Sequence, residues 1–220
     1  MSWAELAPLI LESLWETLFM TVPSTLLSYL IGMPLGVLLV MSARDGIRPM
    51  PRVHSILGTS INFLRSVPFI ILLVLLFPVT RALMGRAIGT PAMIFPLVMS
   101  AFPYVARMVE GAILEVDSGV VEAAQSMGST DWQVIRKVLI PEALPSLLNG
   151  AAICMVTILG YTAMAGAAGG GGLGALAITK GLNMRKFDIM YSASLTLVAL
   201  VQIMAIAGNR ISKKSDHRIK

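Results

Sequence analysis

Long apolar runs separated by short polar segments dominate the chain, and five of them, at about residues 14–41, 67–84, 91–108, 145–168 and 187–208, approach the length of a membrane crossing. A helix needs about 20 apolar residues to span the hydrocarbon core. The pattern therefore predicts an all-α integral membrane protein with five transmembrane helices in one domain over residues 1–220. Pro23, Pro34, Pro68, Pro78, Pro96 and Pro103 fall inside these runs or near their ends. In water they would break the helices, but in a bilayer neighbouring helices re-satisfy the carbonyls that proline leaves unpaired. Gly32 and Gly36, one helical turn apart, give the first span a narrow face that another helix can approach closely.

Two polar segments carry helical patterning of their own. Before the second span, Val53, Ile56, Leu57, Ile61 and Leu64 recur at helical spacing, with His54, Ser55, Thr59, Asn62 and Arg65 largely on other faces. This predicts an interfacial elbow helix. Arg65 then lies near the headgroups, where its long side chain can snorkel. Between the third and fourth spans, residues 119–127 read as a short helix that Gly128 ends in a left-handed cap. Thr130 with Gln133 forms a capping box for a second short helix, which Pro141 limits. Val120, Val121, Ala124, Val134, Ile135 and Val138 supply this 119–141 insert with apolar contacts, and Glu122, Gln125, Arg136 and Lys137 with polar ones.

Composition agrees with a membrane protein and then orients it. Of 220 residues, 56% are hydrophobic and 13% charged, with a mean hydropathy of +0.80, against about 25% charged in soluble domains. A net charge of +5 would suggest nucleic acid in a soluble protein, but no stacking aromatics interleave the basic residues here. The charge instead sorts across the spans. Arg44, Arg48, Arg52, Arg65, Arg107, Arg136, Lys137, Arg210, Lys213, Lys214, Arg218 and Lys220 fall on one side, and Arg81, Arg86, Lys180, Arg185 and Lys186 on the other. Twelve of the 17 basic residues against five place the insert and the C-terminus in the cytoplasm and the N-terminus outside. Residues 1–16 carry Glu5, Glu12 and Glu16 without Lys or Arg, so the first run is expected to be a retained span rather than a signal peptide. Arg107 and Glu110, three apart, are placed to pair.

Candidate chemistry is sparse. Cys154 lies alone in an apolar run and offers neither a disulfide nor a cysteine metal site. His54 and His217 sit in the flanks and no His-Glu-x-x-His is present, so a metal centre or intramembrane hydrolase lacks its residues. The glycines of 169–174 are not followed by Lys-Ser or Lys-Thr, which argues against a phosphate loop. They fit either a mobile outer loop beside a gate or close packing of the fourth span's end. The 15 methionines are adaptable apolar filler. Asn149, Ile153, Thr157 and Tyr161 fall at four-residue steps on the fourth span, as do Ser192 and Thr196 on the fifth. Such stripes face a pathway or bond neighbouring helices.

Glu122-Ala-Ala, three residues, Gly128, nine residues and Val138-Leu-Ile-Pro141 resembles the cytoplasmic coupling motif of permease subunits of ATP-binding-cassette importers. That motif ends in Ile-x-Leu-Pro, so Val138 and Ile140 depart from it conservatively. Leu64-Arg-Ser-Val-Pro-Phe-Ile-Ile-Leu-Leu-Val, Ala101-Phe-Pro-Tyr-Val-Ala-Arg-Met-Val-Glu110, Arg136-Lys-Val-Leu-Ile-Pro-Glu-Ala-Leu-Pro145 and the glycine-rich 160–174 look like the permeases of methionine importers, a likeness running from about Leu14 to Arg210. The resemblance implies a type I importer permease fold in the bacterial cytoplasmic membrane. It also implies a homodimer with two cytoplasmic ATPase subunits that use ATP-Mg, fed by an extracytoplasmic methionine-binding lipoprotein and often accepting D-methionine. The chain itself would be no enzyme and bind no cofactor or metal. By the same resemblance Glu122, Ala123, Ala124, Gly128, Val138 and Pro141 couple to the ATPase: the alanines permit close approach, Gly128 sets the elbow and Glu122 carries an ion pair or cap. Importers of other small solutes share the coupling motif, and a channel or scaffold is the remaining rival class.

Overall fold

A computed structural model describes residues 3–215. His217, Arg218 and Lys220, which enter the sequence reading above, lie outside them. The described chain is helical: α1 (Trp3–Ser42), α2 (Pro51–Ser66), α3 (Phe69–Met84), α4 (Ile94–Leu114), α5 (Ser118–Ser126), α6 (Asp131–Val134), α7 (Ile140–Ala165), α8 (Gly172–Ala175) and α9 (Phe187–Ser215). Four segments are long and apolar enough to cross a membrane, and α2 with α3, bent by 103°, makes a fifth if counted as one broken span.

Central to the bundle is α4. A Cβ on Gly32 would come within 2.7 Å of Phe102 O and Val105 Cβ, and one on Gly36 within 2.5 Å of Ala106 O. The small face of α1 therefore lets α4 pack backbone against side chain, as expected for that spacing. Met20, Leu73, Leu97, Val105, Val109 and Ile158 close the core between α1, α3, α4 and α7. Outward, Leu26, Leu30, Phe63, Leu75 and Leu195 stay exposed, which suits a lipid-facing surface.

Three boundaries differ from the hydropathy pattern, each for a tertiary reason. First, α1 runs 40 residues, about 60 Å at 1.5 Å per residue, because its first turns are held by packing: Leu6, Leu9, Ile10 and Leu14 meet Leu173, Leu176 and Ile189. Second, the bend between α2 and α3 falls at extended Val67 (φ −82, ψ 121) before Pro68, a conformation that proline favours in the residue before it. Third, Pro141 does not limit the second insert helix. It sits in the first turn of α7, preceded by a π-helical stretch, Ile135–Leu139. The helix continues through it, and residues 131–170 form one long apolar unit.

Arg107 ties α2 to α4. Its guanidinium donates to Glu110 Oε2 at 2.6 Å, the expected local pair, and also to Gly58 O at 3.0 Å and Asn62 Oδ1 at 3.2 Å. His54 Nδ1 lies 3.0 Å from Leu39 O. The elbow helix is thus present, but it leans along α1 and α4, and Leu57 and Ile61 pack on Leu35, Leu39 and Ala106.

Candidate functional site

The insert is a two-helix elbow fixed at every turn by local bonds. Asp117 caps α5 by accepting from Gly119 N–H at 2.7 Å. Gly128 adopts φ +80 with its N–H donated to Gln125 O at 2.9 Å, the left-handed cap that glycine forms without steric cost. Thr130 and Gln133 complete the capping box reciprocally, at 3.4 and 2.9 Å. The elbow is bound to the membrane body by Val121, Ala124, Val134, Ile135, Val138 and Leu139, which join the main core.

Burial divides the candidate coupling residues. Glu122, Ala123, Gly128 and Pro141 are exposed, whereas Ala124 is buried and Val138 half-buried against the core. Ala124 and Val138 therefore anchor the elbow from within, and the outer face adds two residues that patterning did not single out. Met127 is 80% and Trp132 66% exposed. Large apolar tips on a short polar insert were the available signal. Val120, expected to make an apolar contact, is exposed beside them.

Glu122 also borders a groove of about 450 Å³ between α5 and the α1–α2 connection, with Asp45 and Ile47 on the facing wall.

The stripe on α7 opens into two separate cavities. Asn149 lines one of about 290 Å³ with Glu115 and Ser146, whose hydroxyl donates to Glu115 Oε2 at 2.6 Å. Tyr161 lines another, of about 200 Å³, with Arg65, Phe69, Ser100 and Tyr104. Between them, Thr157 spends its hydroxyl on Ile153 O at 2.9 Å, within its own helix. Thr196 likewise donates to Ser192 O at 2.8 Å, and this α9 pair lines neither cavity. Arg65 lies in the last turn of α2. Its guanidinium lies 5.9 Å from the ring centre of Tyr104, ten residues after Ile94 in the 21-residue α4, so about 15 Å along that helix.

At the far end of α7 the glycine run is a packed hairpin, not a mobile loop. Gly166, Gly170, Gly172 and Gly174 are buried, and Gly169, Gly171 and Gly172 have φ of +93, +86 and +78. Glu16 and Thr17 of α1 hold it, accepting from Gly172 N–H at 2.6 Å and Leu173 N–H at 2.9 Å. A hydroxyl stripe that hydropathy does not mark runs along α1 beneath it. Thr17, Thr21 and Thr25 each donate to the carbonyl four residues earlier at 2.8 Å, and the buried hydroxyls of Ser24 and Ser28 have no hydrogen-bond partner among the described residues. Their four-residue spacing was the readable signal.

The described helices thus form a multi-span bundle with a capped polar elbow growing into one of its spans. The family model of the binding-protein-dependent transport system inner membrane component matches residues 32–220, and the chain belongs to that family. Among its relatives, the "Probable D-methionine transport system permease protein MetI" of Vibrio cholerae is 45% identical over 96% of this chain and 93% of that protein. The D-methionine transport system permease protein MetI of Escherichia coli is 46% identical over 72% of this chain and 73% of its own length. A solved structure of inward facing conformations of the MetNI methionine ABC transporter superposes with a TM-score of 0.96 at 41% identity, covering 99% of this chain and 100% of the matched one. A crystal structure of an amino acid ABC transporter with histidines shares the fold, with a TM-score of 0.74 at 22% identity.

Proposed function

We propose that this chain is the membrane subunit of an ATP-driven importer of methionine, in the L and D forms. It works as a homodimer with two cytoplasmic ATPase subunits, which alone use ATP-Mg, and receives cargo from an extracytoplasmic methionine-binding lipoprotein. Its insert and C-terminus face the cytoplasm and its N-terminus faces outward, in keeping with the twelve-to-five division of basic residues.

One observation carries the transport mechanism: the elbow is rigid within, apolar at its tip and continuous with α7. Docking through Met127, Trp132, Val120, Ala123 and Glu122 moves the elbow as a body, because Ala124, Val134 and Leu139 are fixed in the core. A closing ATPase pair then pushes on α7 without any residue of this chain doing chemistry. For the spans to change state, docking energy must differ between the ATP-bound and ATP-free ATPase. The methionine assignment rests on the likeness to the methionine transport proteins above.

The test is ATP-dependent uptake of labelled methionine into proteoliposomes containing this chain, its neighbouring ATPase and the binding protein, each omitted in turn. Uptake that requires all three is expected. Coupled ATP hydrolysis without methionine movement would retain the importer and reject the cargo, and failure of any ATPase to associate would reject both.

A further inference from the structure

We infer that the cavity between α2, α3, α4 and α7 is an amino-acid site on the translocation path, in which Arg65 takes the substrate carboxylate and the Phe69–Tyr161 pair takes an apolar side chain. The inference rests on the importer reading above and adds to it a site with a chemical preference.

The cavity's lining holds one cation, no carboxylate and three aromatic rings. Tyr161 stacks on Phe69 with ring centres 4.6 Å apart and planes 8° from parallel. This flat apolar slab suits a thioether, which gains from contact with aromatic rings. A guanidinium presents a planar fork of donors matched to a carboxylate, and Arg65 reaches the same space from over Tyr104. The Ser100, Tyr104 and Tyr161 hydroxyls are neutral acceptors for an ammonium group. At about 200 Å³, the space of roughly seven waters at about 30 Å³ each, the cavity is of single-amino-acid size. With a cation and no acid in its wall, it disfavours lysine or arginine as cargo.

Position supports the same use. A charge on a span belongs in a bundle interior or a water-filled space rather than against lipid, yet Arg65 is exposed in the single chain. Ser55, Thr59, Asn62 and Ser66, also exposed, continue a polar face along α2 at helical spacing. An aqueous path bordered by this face gives both the arginine and the hydroxyls a solvent that lipid denies them.

The experiment measures binding of labelled methionine to the complex of this chain and its ATPase in lipid nanodiscs, without the binding protein. Methioninol, which keeps the thioether and ammonium but lacks the carboxylate, is the competitor. Methionine is expected to compete at least tenfold better than methioninol, and lysine worse than methionine. Arg65→Gln should erase the methionine–methioninol difference, Arg65→Lys should retain part of it, and Tyr161→Ala should weaken both ligands alike. Equal competition by methionine and methioninol, preference for lysine, no binding of methionine at all, or an undiminished difference in Arg65→Gln each overturns the site. If Arg65→Gln fails to assemble with the ATPase, the comparison of ligands on the unmodified complex still decides. Uptake separates the two readings. Undiminished uptake by Arg65→Gln rejects the site and keeps the methionine importer, whereas carboxylate-dependent binding without methionine uptake rejects the cargo reading and keeps the site.

Discussion

The two ends of the long 131–170 helical unit are bordered by glycines used for different reasons. At the insert, Gly128 has φ +80 and, among the described residues, no atom within 4 Å of where a Cβ would stand. It is there for its backbone angle alone. In the hairpin, Gly171 and Gly172 have similar φ, but a Cβ on either would come within 2.7 Å of the Thr90 or Thr17 hydroxyl oxygen. Gly166 and Gly174 would drive a Cβ into the backbone at Ala175 and Ala163. One end is a surface elbow open to a partner; the other is a buried joint in which α1 grips the turn after α7. The coupling proposed above needs one end that can be pushed and another that is anchored, and the two glycine environments suit that division.

Substitutions should pull the two ends apart. Gly172→Ala combines a left-handed angle with a clash on Thr17, about 3–5 kcal/mol in sum, and should remove the protein from the membrane fraction. Normal abundance on immunoblotting would show the hairpin to be pliant. Gly128→Asp costs about 1 kcal/mol for the left-handed angle and leaves the fold in place. Because it sets a charge on the docking face, ATP-driven uptake should vanish at near-normal abundance, and unimpaired uptake would count against docking there. Glu16→Ala strips a buried N–H of its carboxylate partner, a loss of about 1.5–3 kcal/mol. It should lower the melting temperature of the purified protein and cut uptake severalfold; an unchanged melting curve would separate the clamp from stability. Cys154 is fully buried in the core, so Cys154→Ala trades its sulfur for a small void at about 1 kcal/mol. Uptake should stay within twofold, and a larger loss at equal abundance would give the thiol a role beyond packing.

Much of the insert was legible because its signals are local. An N-cap with Gln133 three residues on, and glycine where a left-handed turn was needed, specify the elbow through residues within one turn of each other. The meeting of Arg65, Tyr104 and Tyr161 was not legible for the opposite reason. Arg65 and Tyr104 meet only because α2 leans on α4, and Tyr161 joins them from α7. From patterning, Arg65 reads as a snorkelling residue and the glycine run as either an outer loop or close packing. Set side by side, the helices pack the glycine run closely and bring Arg65 over the Tyr104 ring, outcomes that depend on what lies opposite.

By itself, then, the sequence determined the solvent, the spans, the capped elbow and the family, since hydropathy and short-range backbone preferences act within a few residues. Tertiary structure alone decided that Ala124 and Val138 face inward, that α1 extends to clasp the glycine hairpin, and that Arg65, at the end of α2, lies over Tyr104 of α4. Those outcomes rest on close packing between segments far apart in the chain. Which face of a helix is covered is set by the neighbour that covers it.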